Sequence, residues 1–144
     1  MAMTKLELQT SRFGLIQVDE ASIIHFANGL IGFAEFKKFV VLDADSPFSW
    51  LQSVEDPTLA FLTVDALNCQ DRYKVDRKEF ASQVDLEDKE SHIIILVVAV
   101  SEKASSATLN LRAPIVVNLD KKLAAQIVLD DESLSTKAAL ADYL

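Results

Sequence analysis

The fold of this chain is decided by residues 93–100, which read IIILVVAV. Six of these eight residues are β-branched and none is polar, which is typical of a strand that is buried on both faces. A helix that crosses a membrane needs about 20 residues, so this run is too short to span one. The run therefore predicts a central strand in a soluble, mostly β protein.

Weaker strand patterns flank this run and are separated by turns. Residues 4–10 alternate between apolar and polar side chains, with the period of two that a half-buried strand shows. Asn28-Gly29 is a strong turn signal because both residues tolerate a positive φ angle. Further strands are predicted at residues 15–18, 22–26, 39–42, 48–54, 59–64, 108–118 (interrupted by Pro114) and 125–129, with a hairpin-like loop at 103–107.

Two segments have the spacing of helices. In residues 77–84, Phe80 and Val84 are four positions apart and Asp76 can cap the first turn. Residues 132–144 also carry apolar side chains at helical intervals. Most gaps between strands are too short for a crossover helix, which argues against a parallel sheet. The 144 residues therefore predict a single domain (1–144) that is mostly β, a small antiparallel barrel-like domain with one or two short helices.

The charge balance bears on partners and location. The net charge is −8, with 22 acidic and 14 basic residues, and Lys and Arg form no cluster larger than a pair. Nucleic-acid binders depend on such clusters, so direct nucleic-acid binding is not expected. A basic protein partner suits this charge, although negative charge also serves solubility alone.

A single cysteine, Cys69, and the absence of a basic, apolar N-terminal signal predict a cytoplasmic protein without a membrane segment.

The residues that usually carry chemistry do not form a recognisable set. His25, His92 and Cys69 share no metal-ligand spacing, and neither histidine is placed to activate the cysteine. Gly29 and Gly32 are not followed by the Lys-Ser/Thr of a phosphate-binding loop. We therefore expect no enzyme, no metal and no cofactor. A small ligand-binding β-barrel without catalytic activity and a structural subunit remain open alternatives.

The distinctive features are instead apolar and amide-rich. They are expected to contribute to a protein-binding surface, although each also has a structural interpretation. Trp50 and Phe33 can simply pack in the core, and Arg112 can pair internally with Glu55 or Asp56. Pro114 implies an edge strand or a bulge, where a partner segment can be added. The candidate binding residues are Phe33, Trp50, Gln52, Asn110, Arg112 and Pro114.

Four segments together resemble the FliW family of flagellar assembly factors. They are residues 24–33 (IHFANGLIGF), 48–57 (FSWLQSVEDP), 110–118 (NLRAPIVVN) and 125–129 (AQIVL). Their order is that of the family, and they are spread over most of the chain, from residue 24 to residue 129. Ala27 and Ile31 stand where the family often has proline, a change that alters loop stiffness and leaves the overall match intact.

The resemblance implies a partner switch that composition alone does not show. A member of this family is expected to bind newly made flagellin in the cytoplasm. It is also expected to bind CsrA, a small basic regulator of flagellin translation, so that secretion of flagellin releases the factor to antagonise CsrA. Two acidic clusters are expected to steer CsrA electrostatically: Asp85, Glu87, Asp88 and Glu90, and Asp130, Asp131 and Glu132.

Overall fold

The structure, a computed structural model, describes residues 4–100 and 106–144; the loop expected at 103–107 lies largely outside them. Eleven strands are found in these residues: β1 (Lys5–Thr10), β2 (Gly14–Asp19), β3 (Ile24–Phe26), β4 (Lys38–Asp43), β5 (Phe48–Ser53), β6 (Ala60–Asp65), β7 (His92–Ala99), β8 (Thr108–Leu109), β9 (Ile115–Asn118), β10 (Leu123–Gln126) and β11 (Ala138–Ala139). Short 3₁₀ helices cover Glu20–Ser22, Ala66–Arg72, Arg77–Glu79, Ala81–Val84 and Leu140–Asp142.

Seven of these strands close into a barrel, which confirms the predicted fold class. The order around the barrel is β7-β6-β5-β4-β3-β10-β9, and β9 pairs back onto β7 through Ile93↔Val117 and Ile95↔Ile115. Six of the seven neighbouring pairs are antiparallel, and β10 runs parallel to β3, with Leu123 opposite His25. Closure gives each of these seven strands a neighbour on both sides.

The apolar run at 93–100 forms β7, and the barrel explains why both of its faces are apolar. Ile93, Ile95 and Val97 point into the barrel, while Leu96 and Val98 pack against an outer layer of the chain. The interior is filled by buried side chains from six of the seven strands and one loop. Its buried members are Ile24, Phe26, Leu30, Phe39, Leu51, Ile95, Ile115, Val117 and Ala124.

The outer face of the barrel is covered by three further apolar clusters. The β1–β2 hairpin places Leu8 and Val18 over Val40 of β4. The segment after β6 packs Cys69 and Tyr73 on the outer side of β6 and β7, together with β8 and β11. The third cluster joins residues 80–86 to β9, β10 and residues 127–129. These layers account for the half-hydrophobic composition of so short a chain.

Neither predicted helix forms as an α-helix. Residues 77–84 make two separate 3₁₀ turns, the first capped by Asp76 as expected, through the Lys78 N–H at 3.0 Å. The helix predicted at 132–144 is wrong. Asp131 and Ser135 accept backbone N–H groups from Ser133 and Lys137, which favours turns, and the chain then forms β11 on β8.

The strand registers define two ends of the barrel. One end carries the loops 27–37, 54–59 and 110–114, and we call it the Leu30 end after the side chain that closes it. The other carries the connections 44–47, 66–91 and 119–122, and we call it the Asp65 end after the last residue of β6. All candidate surfaces described below are located relative to these two ends.

Candidate protein-binding surfaces

The loop at 27–37 closes the Leu30 end and exposes two apolar side chains. Gly29 has a φ of +64°, and a Cβ there would lie 2.7 Å from the Ala34 backbone, so the turn requires glycine. Leu30 is buried in the barrel, whereas Ile31 is 59% exposed and Phe33 is 36% exposed. The Phe33 ring lies edge-on to Phe61 of β6, with the ring centroids 5.2 Å apart. Phe33 is therefore anchored to the barrel and still reachable by a partner.

Gln126 joins this loop to the turn that contains Asn110. Its Oε1 accepts the Ile31 N–H at 2.8 Å, and its Nε2 donates to the Ala113 carbonyl at 3.1 Å. Asn110 accepts the Ala113 N–H at 3.0 Å and borders a cavity of about 200 Å³ next to Ile31. The structure thus brings Phe33 and Asn110 to one end of the barrel. Gln126 was not among the sequence-based candidates, because its role depends on two loops that are distant in sequence.

The segment around Arg112 and Pro114 is not a free edge. The Arg112 carbonyl accepts the Leu129 N–H at 2.8 Å, and the buried Pro114 accepts the Ile127 N–H at 2.9 Å. The Arg112 Nε donates to the Leu129 carbonyl at 3.2 Å. The alternative in which Arg112 pairs with Glu55 or Asp56 is not found among the described residues, where both carboxylates accept hydrogen bonds from nearby loop residues. Glu55 accepts the backbone N–H groups of Lys37 and Lys38, and Asp56 accepts the backbone N–H and the hydroxyl of Thr58.

Trp50 and Gln52 lie elsewhere, on the outer face of β5. The Arg12 guanidinium stacks over the Trp50 ring at 4.0 Å, and Phe13 packs edge-on to it at 6.3 Å. Trp50 is thus neither in the barrel core nor freely exposed. Gln52 is fully buried, and its Nε2 donates to carbonyls of the β5–β6 turn, including Ser53 at 3.0 Å. Gln52 therefore shapes that turn.

The first acidic cluster is organised around one lysine. The Lys121 Nζ lies 2.9 Å from Asp85, 3.4 Å from Glu87 and 3.3 Å from Glu90. Hydrogen bonds, above all to Asp85, raise the pKa of Lys121. Asp88 and Glu87 remain exposed. Part of the charge expected to steer a partner is thus neutralised within the fold.

The second acidic cluster, Asp130, Asp131 and Glu132, is exposed. It directly follows residues 127–129, which hydrogen-bond to the 112–114 backbone at the Leu30 end. The hydroxyl and N–H of Ser133 donate to Asp131 and hold the pKa of its carboxyl below the usual range, with a smaller contribution from Arg112. The two acidic clusters are therefore at opposite ends of the barrel.

Glu90 should make stability sensitive to acid. Its carboxylate accepts the Glu87 N–H, and this bond, with those from Asn118 and Lys121, lowers the pKa of Glu90 below 4.5. The folded state thus binds this proton more weakly than the unfolded chain, so the stabilisation is complete above pH 4.5 and is lost as pH falls through the lowered pKa. We expect melting temperatures measured between pH 6 and pH 3 to fall less steeply for Glu90→Gln than for the wild type.

Glu87→Gln is the matched control for that measurement, because it removes a neighbouring carboxylate and keeps the Glu90 contacts. It should follow the wild-type acid dependence. If Glu90→Gln and the wild type lose stability in parallel, the Glu90 contacts do not contribute to acid sensitivity.

The Asp65 end holds two cavities that no sequence pattern indicated. One, of about 490 Å³, is bordered by Val41, Asp43 and Pro47, and the other, of about 570 Å³, by Leu67 and Tyr73. Asp65 and Ile93 border both. In the 66–72 segment, which contributes residues to the border of each cavity, Gln70 has a φ of 53° and a ψ of −128°. Such a backbone conformation is rare for a residue with a side chain and often marks a functional region.

In the described parts of the chain, no three His, Cys, Asp or Glu side chains are grouped so that they could hold a metal ion. No helix in those residues has the length and apolar character needed to cross a bilayer.

These features define a small closed β-barrel whose candidate sites are surfaces for other proteins. The model of the family described as FliW protein matches residues 7–140. The chain belongs to the FliW family of flagellar assembly factors. The curated relatives are described by a role in flagellar assembly, and their names state no reaction.

Curated relatives and a solved structure support this assignment over nearly the whole chain. The flagellar assembly factor FliW of Geobacter sulfurreducens is 39% identical over 140 residues, which cover 95% of this chain and 87% of the relative. That of Natranaerobius thermophilus is 36% identical over 139 residues, covering 94% and 92%. A crystal structure of the flagellar assembly factor FliW superposes with a TM-score of 0.85 at 31% identity, covering 94% of this chain and 96% of that one.

Proposed function

We propose that this protein binds flagellin in the cytoplasm as a chaperone and antagonises the translational regulator CsrA by direct binding, which couples flagellin synthesis to assembly. Membership of a family of flagellar assembly factors supports protein partners as the target. The observation that carries the proposal is the chemical difference between the two ends of the barrel. Two partners of different chemistry can be recognised by two such surfaces, and the switch then requires that binding at one end weakens binding at the other.

The Leu30 end suits an apolar partner segment. Ile31 and Phe33 protrude there beside Asn110, and the Gly29 turn and the Gln126 bridge fix the backbone beneath them. A rigid aromatic side chain in a fixed loop loses little entropy when it is covered, which favours it as an anchor. We propose Phe33 and Asn110 as contacts at this end, with Arg112 and Pro114 supporting the adjacent turn. Trp50 and Gln52, on the outer face of β5, would contribute less.

The Asp65 end suits a basic partner such as CsrA. Asp85, Glu87, Asp88 and Glu90 lie at this end, and Lys121 neutralises only part of their charge. Exposed charge of one sign mainly raises the rate of association with an oppositely charged protein and makes that rate dependent on salt. Asp130, Asp131 and Glu132, at the opposite end, would contribute less to this steering.

Calorimetric titration tests the proposal. The purified protein is titrated with CsrA, and separately with flagellin, each from the same organism, and then with one partner in the presence of the other. We expect both to bind and the second to weaken or displace the first. A folded protein that binds neither partner would contradict the proposal. Binding of both without any mutual effect would contradict the switch and leave an assembly factor with two independent partners.

A further inference from the structure

The two cavities at the Asp65 end are neighbours and together form a continuous border of residues. They share Asp65 and Ile93, and residues of the 66–72 segment border each of them, Leu67 the larger cavity and Asn68 the smaller one. We call this surface the Asp65 groove. The residues that would contact a ligand in this groove include Val41, Asp43, Asp65, Leu67, Asp71 and Ile93.

The groove offers apolar contacts that the fold leaves uncovered. Leu67 is 82% exposed at its rim, and Val41, an inward-facing residue at the end of β4, is 40% exposed. Ile93 forms part of the floor. If an apolar side chain of a ligand covered these aliphatic side chains, the burial of apolar surface would stabilise the complex. The groove therefore suits a ligand with at least one apolar anchor.

The charges around the groove indicate which charge a ligand should carry beside its apolar anchor. Three carboxylates border it, those of Asp43, Asp65 and Asp71. Lys74 is the one lysine on its border, and its Nζ lies 3.4 Å from Asp71. His92 also faces the groove, and burial, followed by repulsion from Arg77, lowers its pKa, which favours the neutral imidazole. A cationic ligand would complement this border.

The wall of the groove is fixed before any ligand binds. Cys69 and Tyr73, on either side of the unusual Gln70 conformation, are buried against the barrel. The Tyr73 hydroxyl donates to the Leu111 carbonyl at 2.7 Å, which ties the segment to the turn after β8. A surface held in this way loses little conformational entropy on binding.

We infer that the Asp65 groove receives a short cationic segment of a protein partner, with an aliphatic side chain covering Leu67 and Lys or Arg side chains facing Asp43, Asp65 and Asp71. The inference rests on the proposed function, because it assigns a surface to the basic partner named there. It differs from the acidic steering described above, since it requires direct contact at Leu67.

The direct test uses a short synthetic peptide of leucine and arginine as the probe. The ¹⁵N-labelled protein is titrated with it, and amide chemical shifts are followed. We expect shifts concentrated at residues 41–49, 65–75 and 92–95. We expect Leu67→Lys to weaken the peptide by about tenfold or more, because it removes the apolar contact and adds a repelling charge.

Leu15→Lys is the matched control. Leu15 is 62% exposed on β2, so the same change adds the same charge at a site away from the groove. It should change the peptide affinity by no more than about twofold. Shifts spread over the whole surface, or equal affinities for the two variants, would overturn the inference.

Titration of both variants with CsrA separates the inference from the proposed function. Suppose that the wild type binds the peptide in the groove but, in a separate titration, does not bind CsrA. The proposed function is then wrong and the groove assignment stands. Suppose instead that the wild type binds CsrA and that Leu67→Lys has the wild-type affinity for both CsrA and the peptide. The groove assignment is then wrong and the proposed function stands.

Discussion

Replacing Phe39 by alanine should lower the free energy of unfolding by about 3–5 kcal/mol. Phe39 is fully buried inside the barrel, where its ring centroid lies 5.3 Å from that of Phe26 and 6.3 Å from that of Phe61. Hydrogen-bonded strands surround the interior on all sides, so the walls cannot collapse far into the space that the ring leaves. Urea unfolding followed by circular dichroism and by Trp50 fluorescence measures this loss.

Val41→Ala is the control for that experiment. Val41 lies on the same strand and the same face as Phe39 but near the mouth of the barrel, where it is partly exposed. Its replacement should cost less than about 1 kcal/mol. A Phe39→Ala loss no larger than that of Val41→Ala would mean that the interior is loosely packed and relaxes around the deletion.

Replacing Asn118 by aspartate should destabilise the protein by about 3–5 kcal/mol near neutral pH. Asn118 is fully buried at the end of β9. Its Nδ2 donates to the Val84 carbonyl at 3.0 Å and to Glu90 Oε1 at 3.2 Å, while its Oδ1 accepts the N–H groups of Asp120 and Lys121 at 3.1 Å. Aspartate has nearly the same shape, but a carboxylate oxygen would replace the donating Nδ2. That oxygen would then lie against the Glu90 carboxylate and the Val84 carbonyl oxygen.

The pH dependence of this variant distinguishes charge from shape. Burial and the neighbouring carboxylate should raise the pKa of an aspartate at 118. The loss should therefore be greatest above that raised pKa and shrink as acid protonates the group, which then donates a hydrogen bond again. Asn28→Asp, at an exposed asparagine, is the control and should cost within about 0.5 kcal/mol. Equal stabilities for the two variants would contradict the proposed role of the Asn118 contacts.

The sequence predicted most strands because their evidence is local. Alternation placed β1, and the β-branched run placed β7 with both faces buried. The helix predicted at 132–144 failed because spacing alone does not reveal the turn formed by the Ser135 hydroxyl or the pairing of Ala138 with Leu109. That pairing joins segments that are distant in sequence, and tertiary contacts of this kind override weak helical propensity.

The candidate surfaces were harder to predict than the strands. The residues around Gly29 were identified because glycine and asparagine mark a turn, and Phe33 is indeed accessible there. The position of Trp50 depends on where the β1–β2 hairpin places Arg12, which no local pattern encodes. The Asp65 groove combines residues from four strands and two separate connections, so it becomes visible only once the barrel is closed.

The parallel pairing of β3 with β10 has a consequence for how the protein forms during synthesis. The residues that complete the barrel, such as Leu123 opposite His25, leave the ribosome long after β3 to β6. Until then, β3 has a partner in β4 alone and presents its other edge to any strand nearby. The nascent chain must wait for its late strands before it is protected from pairing with other chains, so its folding includes a long-range closure, a kind of contact that forms slowly. Slow translation of the segment that contains β9 and β10 would lengthen the period in which the growing chain is open to aggregation.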